Sequence, residues 1–156
     1  MLWRLSRQQM DAGMGEQNRL AMKAVFEGGR PPGLVAFDGD TPIGWIQFAP
    51  RPEFPRLETS RILKPVDEQD VWSVSCFFVH KTHRNRGVSL RLLEAACESA
   101  KKSGAHILEG YPVEPKKVPY PPVYGWVGFA EIFSRAGFKE VARRSETRPV
   151  MRIDLK

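Results

Sequence analysis

The sequence predicts a single α/β domain over residues 1–156, with helices flanking a β-sheet. Three observations carry this expectation. β-rich runs alternate with runs of helical period, one β-branched and aromatic run (residues 71–80) reads as a central strand buried on both faces, and that run feeds through a glycine-containing turn into an amphipathic helix. With 42% apolar and 27% charged residues, 156 residues can bury one sizeable core but are short for two.

After a short apolar start at Leu2 to Leu5, residues 7–27 carry Met10, Met14, Ala21, Ala24 and Val25 at helical spacing. This predicts one helix or two, interrupted near Gly13 and Gly15. Residues 34–38 and 43–49 are strands joined by Gly39-Asp40-Thr41-Pro42, the composition of a tight hairpin connection. Residues 50–70 are rich in proline and charge without a sustained period, and read as a long surface excursion. From Ser89 to Lys102, Leu90, Leu93, Cys97 and Ala100 share one face, Arg91, Glu94, Glu98 and Lys101 the other, and Gly104 follows as a cap. A strand around 106–111, a Pro-rich segment 112–122, a short helix ending at Ala136-Gly137 and strands near 138–144 and 149–154 complete the chain.

No run approaches the roughly 20 apolar residues of a membrane span, and the N-terminus lacks a signal-peptide h-region, so no membrane association and a cytoplasmic location are expected. Cys76 and Cys97 are too few for a disulfide framework. His80 and His83 have no nearby thiol partners, so no metal site is expected. The net charge of +6 suggests an anionic partner without choosing among nucleic acid, acidic protein and phosphorylated cofactor.

The join between residues 71–80 and the helix narrows that choice. A strand that enters a helix N-terminus through Arg84-Asn85-Arg86-Gly87-Val88-Ser89 leaves backbone N–H groups without intrahelical partners beside the positive end of the helix dipole. Gly87 lets the backbone approach a diphosphate, and Arg84 and Arg86 are cations at a helix end that disfavours them unless an anion is present. Neither G-x-x-x-x-G-K-[ST] nor a strand-following G-x-G-x-x-G occurs, which weighs against ATPase and dinucleotide readings.

Val79-His-Lys-Thr-His-Arg84-Asn-Arg-Gly87-Val-Ser89 resembles motif A of the GNAT superfamily of acyl-CoA N-acyltransferases, an apolar strand ending in Val followed by Arg/Gln-x-x-Gly-x-Gly/Ala. Ser89 stands where the family has Gly or Ala. Phe133-Ser-Arg-Ala-Gly137-Phe138 is similar to the family's helix ending in Gly-Phe before its sixth strand. The resemblance implies a mixed, mostly antiparallel central sheet flanked by helices and an N-acetyltransferase that moves an acetyl group from acetyl-CoA to an unidentified amine by direct attack in a ternary complex. It implies that Phe77, Phe78 and Val79 face the pantetheine arm, and that Arg84, Asn85, Arg86, Gly87, Val88 and Ser89 hold the pyrophosphate. The thioester would lie in a gap between 71–80 and 106–111, with an oxyanion contact from the N–H of Phe78 or Val79.

Many family members carry a Tyr acid four residues before the Gly of the Gly-Phe pair, where this chain has Phe133, which donates no proton. Tyr111 as acid and Glu109 as base, two apart on the strand facing the implied gap, are the replacements, with Tyr124 and Glu114 as alternatives and ordinary strand surface as the competing account. Cys76 lies within an apolar strand and reads as core rather than nucleophile. His80 and His83 read as turn residues, and Trp45, Trp72, Trp126 and the Phe residues as mainly core. Two other functions stay open: a GNAT-like protein that binds acyl-CoA without catalysis, and a nucleic-acid-binding module using residues 80–91, against which the buried strand argues. A homodimer is compatible with the sequence.

Overall fold

The computed structural model describes residues 1–116, 120 and 122–156, and the side chains of all of these but 122–124. Its scaffold is a six-stranded sheet of order β1-β2-β3-β4-β6-β5, in which β1 is Gly33–Asp38, β2 Thr41–Pro50, β3 Trp72–Val79, β4 Ile107–Gly110, β5 Lys139–Arg143 and β6 Pro149–Asp154. Every neighbouring pair is antiparallel except β3 and β4. The crossover between those two is α4, Val88–Lys102, as a parallel pair requires.

α4 forms because its apolar positions recur at helical spacing, Lys101 and Lys102 sit favourably at the negative end of its dipole, and Gly104 adopts a positive φ of 87° just beyond it. It buries Leu92, Leu93, Ala96 and Ala100 against Ile46, Phe48, Val74 and Phe77, each large side chain adding about 1.5–3 kcal/mol. The buried stripe is therefore centred on Leu92 and Leu93, and Leu90 is only half-buried. α5, Ala130–Arg135, brings Phe133 into the same core.

The opposite sheet face carries α1 (Arg7–Ala12), α2 (Glu16–Glu27) and the excursion after β2. Ser6 and Gln9 form a reciprocal capping box at α1, and the break expected near Gly13 and Gly15 separates it from α2. The excursion contains a 3-10 turn at Arg51–Glu53 and the one-turn α3, Pro55–Glu58, both too short to leave a periodic signal. Phe54, Leu57 and Leu63 pack with Tyr111 and Val150 into a second apolar cluster.

β3 departs from the expected strand in one respect. Ser73, Val74 and Ser75 are buried, but Phe78 is about half exposed because β4 no longer accompanies it.

Candidate functional site

Three parallel pairs tie β3 to β4: Trp72 to Leu108, Ser73 to Glu109 and Val74 to Gly110. Past them the strands part. β3 runs on to Val79 paired with β2 alone, while the chain after β4 continues through Tyr111 and Pro112 to Val113, which bridges Phe129. Two local features drive the separation. The register passes from Phe48–Val74 to Gln47–Cys76, so Ser75 is an extra residue on β3, and such a bulge bends its strand. Pro112 also has no N–H to continue a ladder. The result is a wedge-shaped gap with its apex at Val74 and Gly110.

On the α4 side the gap is floored by aromatic rings. Phe133 is fully buried and meets Phe77 edge to face at 5.9 Å. A Cβ on Gly110 would lie 2.1 Å from the Phe133 ring, so glycine is what admits that ring beside β4.

The unpaired edge of β3 has a defined set of hydrogen-bonding groups. The N–H of His80 donates to Ile43 O of the β2 chain at 2.8 Å. Strand alternation then directs Phe78 at β2, and Phe77 and Val79 into the gap. Of the two expected oxyanion donors, the Val79 N–H faces the gap and the Phe78 N–H is turned to β2, while Phe77 presents a further N–H to the gap. Ser75 O accepts from Trp3 Nε1 at 3.1 Å, and Val79 O accepts from Arg84 Nε at 3.1 Å.

At the open end of the gap, Lys81–His83 forms a 3-10 turn, Arg84 is extended, and Asn85 and Gly87 take positive φ values of 60° and 77° around Arg86. Asn tolerates this left-handed conformation better than most residues, and Gly87 adopts it as the N-cap of α4. The Arg91 N–H bonds Gly87 O at 3.1 Å, so the N–H groups of Val88, Ser89 and Leu90 begin the helix without intrahelical acceptors, and no side chain caps them. The loop is thus a concave, anion-seeking backbone with Arg84, Arg86 and Arg91 exposed around it. Thr82 Oγ1 lies 2.8 Å from Nδ1 of both His80 and His83, and His83 Nε2 is 3.3 Å from Asp38, which fastens the loop to the first hairpin. A Cβ on Gly44 would sit 3.2 Å from Val88 Cγ1, and its absence draws the start of α4 down onto β2 beside the gap.

Glu109 and Tyr111 do share one side of the β4 chain, but that side is closed. Glu109 is fully buried, with Oε1 accepting from Arg51 Nη1 and Tyr111 OH and Oε2 from Arg152 Nε, each at 2.6 Å. Arg51 also reaches Glu58 and Leu63 O, and Arg152 reaches Asp67. The Tyr111 hydroxyl lies 2.8 Å from Ser73 Oγ, and burial, followed by the Glu109 charge, pushes its pKa well above the ordinary phenol range. The residues expected as acid and base are thus members of a buried ion-pair network that fastens β4 to the β2–α3 chain and β6, an arrangement that weighs against proton transfer to or from a bound amine. Glu114 is exposed and paired with Arg143, and the Tyr124 side chain lies outside the described residues. Cys76 is half-buried and burial raises its thiol pKa. Nothing in the sequence marked Trp3, Ser75, Arg51 or Arg152, whose partners lie up to 85 positions away.

Among the described residues, no group of three His, Cys, Asp or Glu side chains is arranged to hold a metal ion, and no helix is long and apolar enough to cross a membrane.

Several solved structures share this fold. A GNAT-family protein from Desulfovibrio desulfuricans aligns with TM-score 0.58 and 16% identity over 97% of this chain and 84% of its own. The Salmonella typhimurium protein yncA, solved with its cofactor acetyl-CoA, aligns with TM-score 0.59 and 16% identity over 92% and 75%. The PaiA N-acetyltransferase of Thermoplasma acidophilum, in complex with coenzyme A, aligns with TM-score 0.56 and 15% identity over 96% and 80%. No curated protein sequence matches the chain. Residues 2–115 match the model of the Acetyltransferase (GNAT) family, which takes in the gap-lining β3, the anion-seeking loop and the start of the chain beyond β4, and the protein therefore belongs to that family.

Proposed function

We propose that the protein binds acetyl-CoA and transfers its acetyl group to an amine by direct attack within a ternary complex. The observation that carries this reading is the unpaired edge of β3 leading, within a few residues, to an uncapped helix N-terminus. An extended amide-bearing arm can pair with the Phe77 and Val79 backbone as an added strand while a pyrophosphate rests on the N–H groups around Gly87 to Leu90, with Arg86 supplying charge. Phe77 has the gap-facing N–H nearer the apex. It is placed to hold the thioester oxygen and to stabilise the negative charge that develops there as a neutral amine attacks.

Glu109 and Tyr111 hold β4 in place rather than move protons, so solvent at the open side of the gap carries them. The family's Tyr position is filled by Phe133, fully buried, which favours a second reading in which the protein binds acyl-CoA without turning it over.

The test is a pair of measurements. Acetyl-CoA at about one hundred times its Kd should stabilise the fold by about 2.7 kcal/mol. Gly87→Glu, which adds a negative charge and an unfavourable left-handed side chain, should abolish that shift. Release of free CoA across a panel of amines separates the two readings. Absence of any stabilisation by CoA or acetyl-CoA would refute both.

A further inference from the structure

Trp3 occupies the apex of the gap. Its indole N–H bonds Ser75 O, the carbonyl of the bulge residue, one position beyond the last β3–β4 pair. Its ring lies 6.0 Å from Trp126 on the 3-10 turn that packs along β3, and it packs against the apolar cluster containing Tyr111, the first residue of the diverging β4 chain. The indole thus stands where the two edges begin to part, in contact with elements from both sides.

The segment carrying Trp3 is firmly held. Arg56 donates from Nη1 to Leu2 O at 2.9 Å and from its backbone N to Trp3 O at 3.3 Å, and its guanidinium lies over the Trp3 ring. Arg4 pairs with Glu53 and stacks on Phe54. A large aromatic on a segment held in this way is a fixed wall rather than a loose end.

From this placement we infer that Trp3 is a specificity-determining residue that closes the gap behind the acyl group and restricts the donor to short acyl chains. The inference rests on acyl-CoA binding as proposed above, with the thioester oxygen at the Phe77 N–H. The Ser75 carbonyl is then the next gap-facing group along β3, about 5 Å from the Phe77 nitrogen. A van der Waals separation of about 3.5–4.0 Å from the indole leaves room for about one carbon atom beyond the carbonyl. An acetyl group fits and a longer chain meets the ring.

The experiment measures binding of CoA, acetyl-CoA, butyryl-CoA and hexanoyl-CoA by calorimetry to the full chain and to Trp3→Ala, Trp3→Leu and Trp3→Phe. The wild-type protein should prefer acetyl-CoA over butyryl-CoA and hexanoyl-CoA by about tenfold or more. Trp3→Ala should bring hexanoyl-CoA to within about threefold of acetyl-CoA with CoA itself little changed. Trp3→Leu, smaller but apolar, serves if the alanine variant does not fold, and Trp3→Phe should keep the preference because the ring, not the N–H, fills the space. CoA binding with equal affinity for all esters in the wild type, or with a preference unchanged in Trp3→Ala and Trp3→Leu, overturns this inference alone. Absence of binding by CoA and every ester overturns the acyl-CoA reading and this inference with it.

Discussion

Replacing Glu109 by Gln tests the buried network directly. The carboxylate is fully buried and receives two guanidinium donors and one phenol at 2.6 Å. Gln is nearly isosteric, but it is neutral and must turn an NH2 toward at least one donor, leaving Arg51 and Arg152 short of a counter-charge while buried. Breaking a buried ion pair costs about 3–5 kcal/mol. Arg51 keeps Glu58 and Leu63 O, and Arg152 keeps Asp67, which puts the expected loss near the lower end. At about 2.1 cal/mol/K per residue, 156 residues have an unfolding entropy near 0.33 kcal/mol/K, so about 3 kcal/mol lowers Tm by about 9 °C. Circular dichroism melts of the two proteins at neutral pH and equal concentration provide the comparison. A change under about 3 °C would refute the view that this carboxylate anchors β4.

The companion substitution Tyr111→Phe should lower stability by about 1–2 kcal/mol and leave kcat within about threefold, since the hydroxyl supports Glu109 and Ser73. A loss of about 10²-fold in kcat at unchanged CoA affinity would return Tyr111 to the role of acid. Burial raises the Cys76 thiol pKa and pushes that of Cys97 up to about 11, so both should alkylate slowly at neutral pH. Cys76→Ala should retain transfer, and an acyl-Cys76 adduct in a mass spectrum would contradict direct attack. Arg152 holds the Asp67 carboxyl below its ordinary pKa of 3.8. That contribution is present above 3.8 and lost as pH falls through the lower folded value, so Asp67→Asn should flatten the acid limb of a Tm-against-pH curve. An acid limb identical to wild type would show that the pair does not hold in solution.

The parts of the site that were readable in the sequence are those made by neighbours in the chain. The apolar run 71–80, Gly87 and the period of α4 lie within about thirty residues, and local rules assign strand, left-handed turn and helix there. The gap belongs to a different class of feature. Its depth comes from a bulge at Ser75 whose register is set by β2, and from Pro112, which a local reading assigns only to a Pro-rich connection. Alternation put Glu109 and Tyr111 on one side of a strand, and they are there. It had no means of showing that Arg51 and Arg152, 58 and 43 positions away, would fill that side. The choice between the Phe78 and Val79 N–H groups stayed open for a related reason, since an unseen bulge shifts which residues of a strand face each neighbour.

The apex network has a mechanical consequence. β3 is fastened to β4 only at one end, so the two strands resemble the legs of a pair of tongs whose rivet is the Arg51–Glu109–Arg152 cluster beside Ser73. From Val74 to Val79 the β3 leg extends five residues, about 17 Å, so a rotation of about 10° at the rivet moves its tip by about 3 Å. That is comparable to the diameter of one atom of an arm lying between them. Side chains that never meet a ligand therefore govern the width of the slot in which it must lie, and loosening them would widen the mouth long before the sheet came apart.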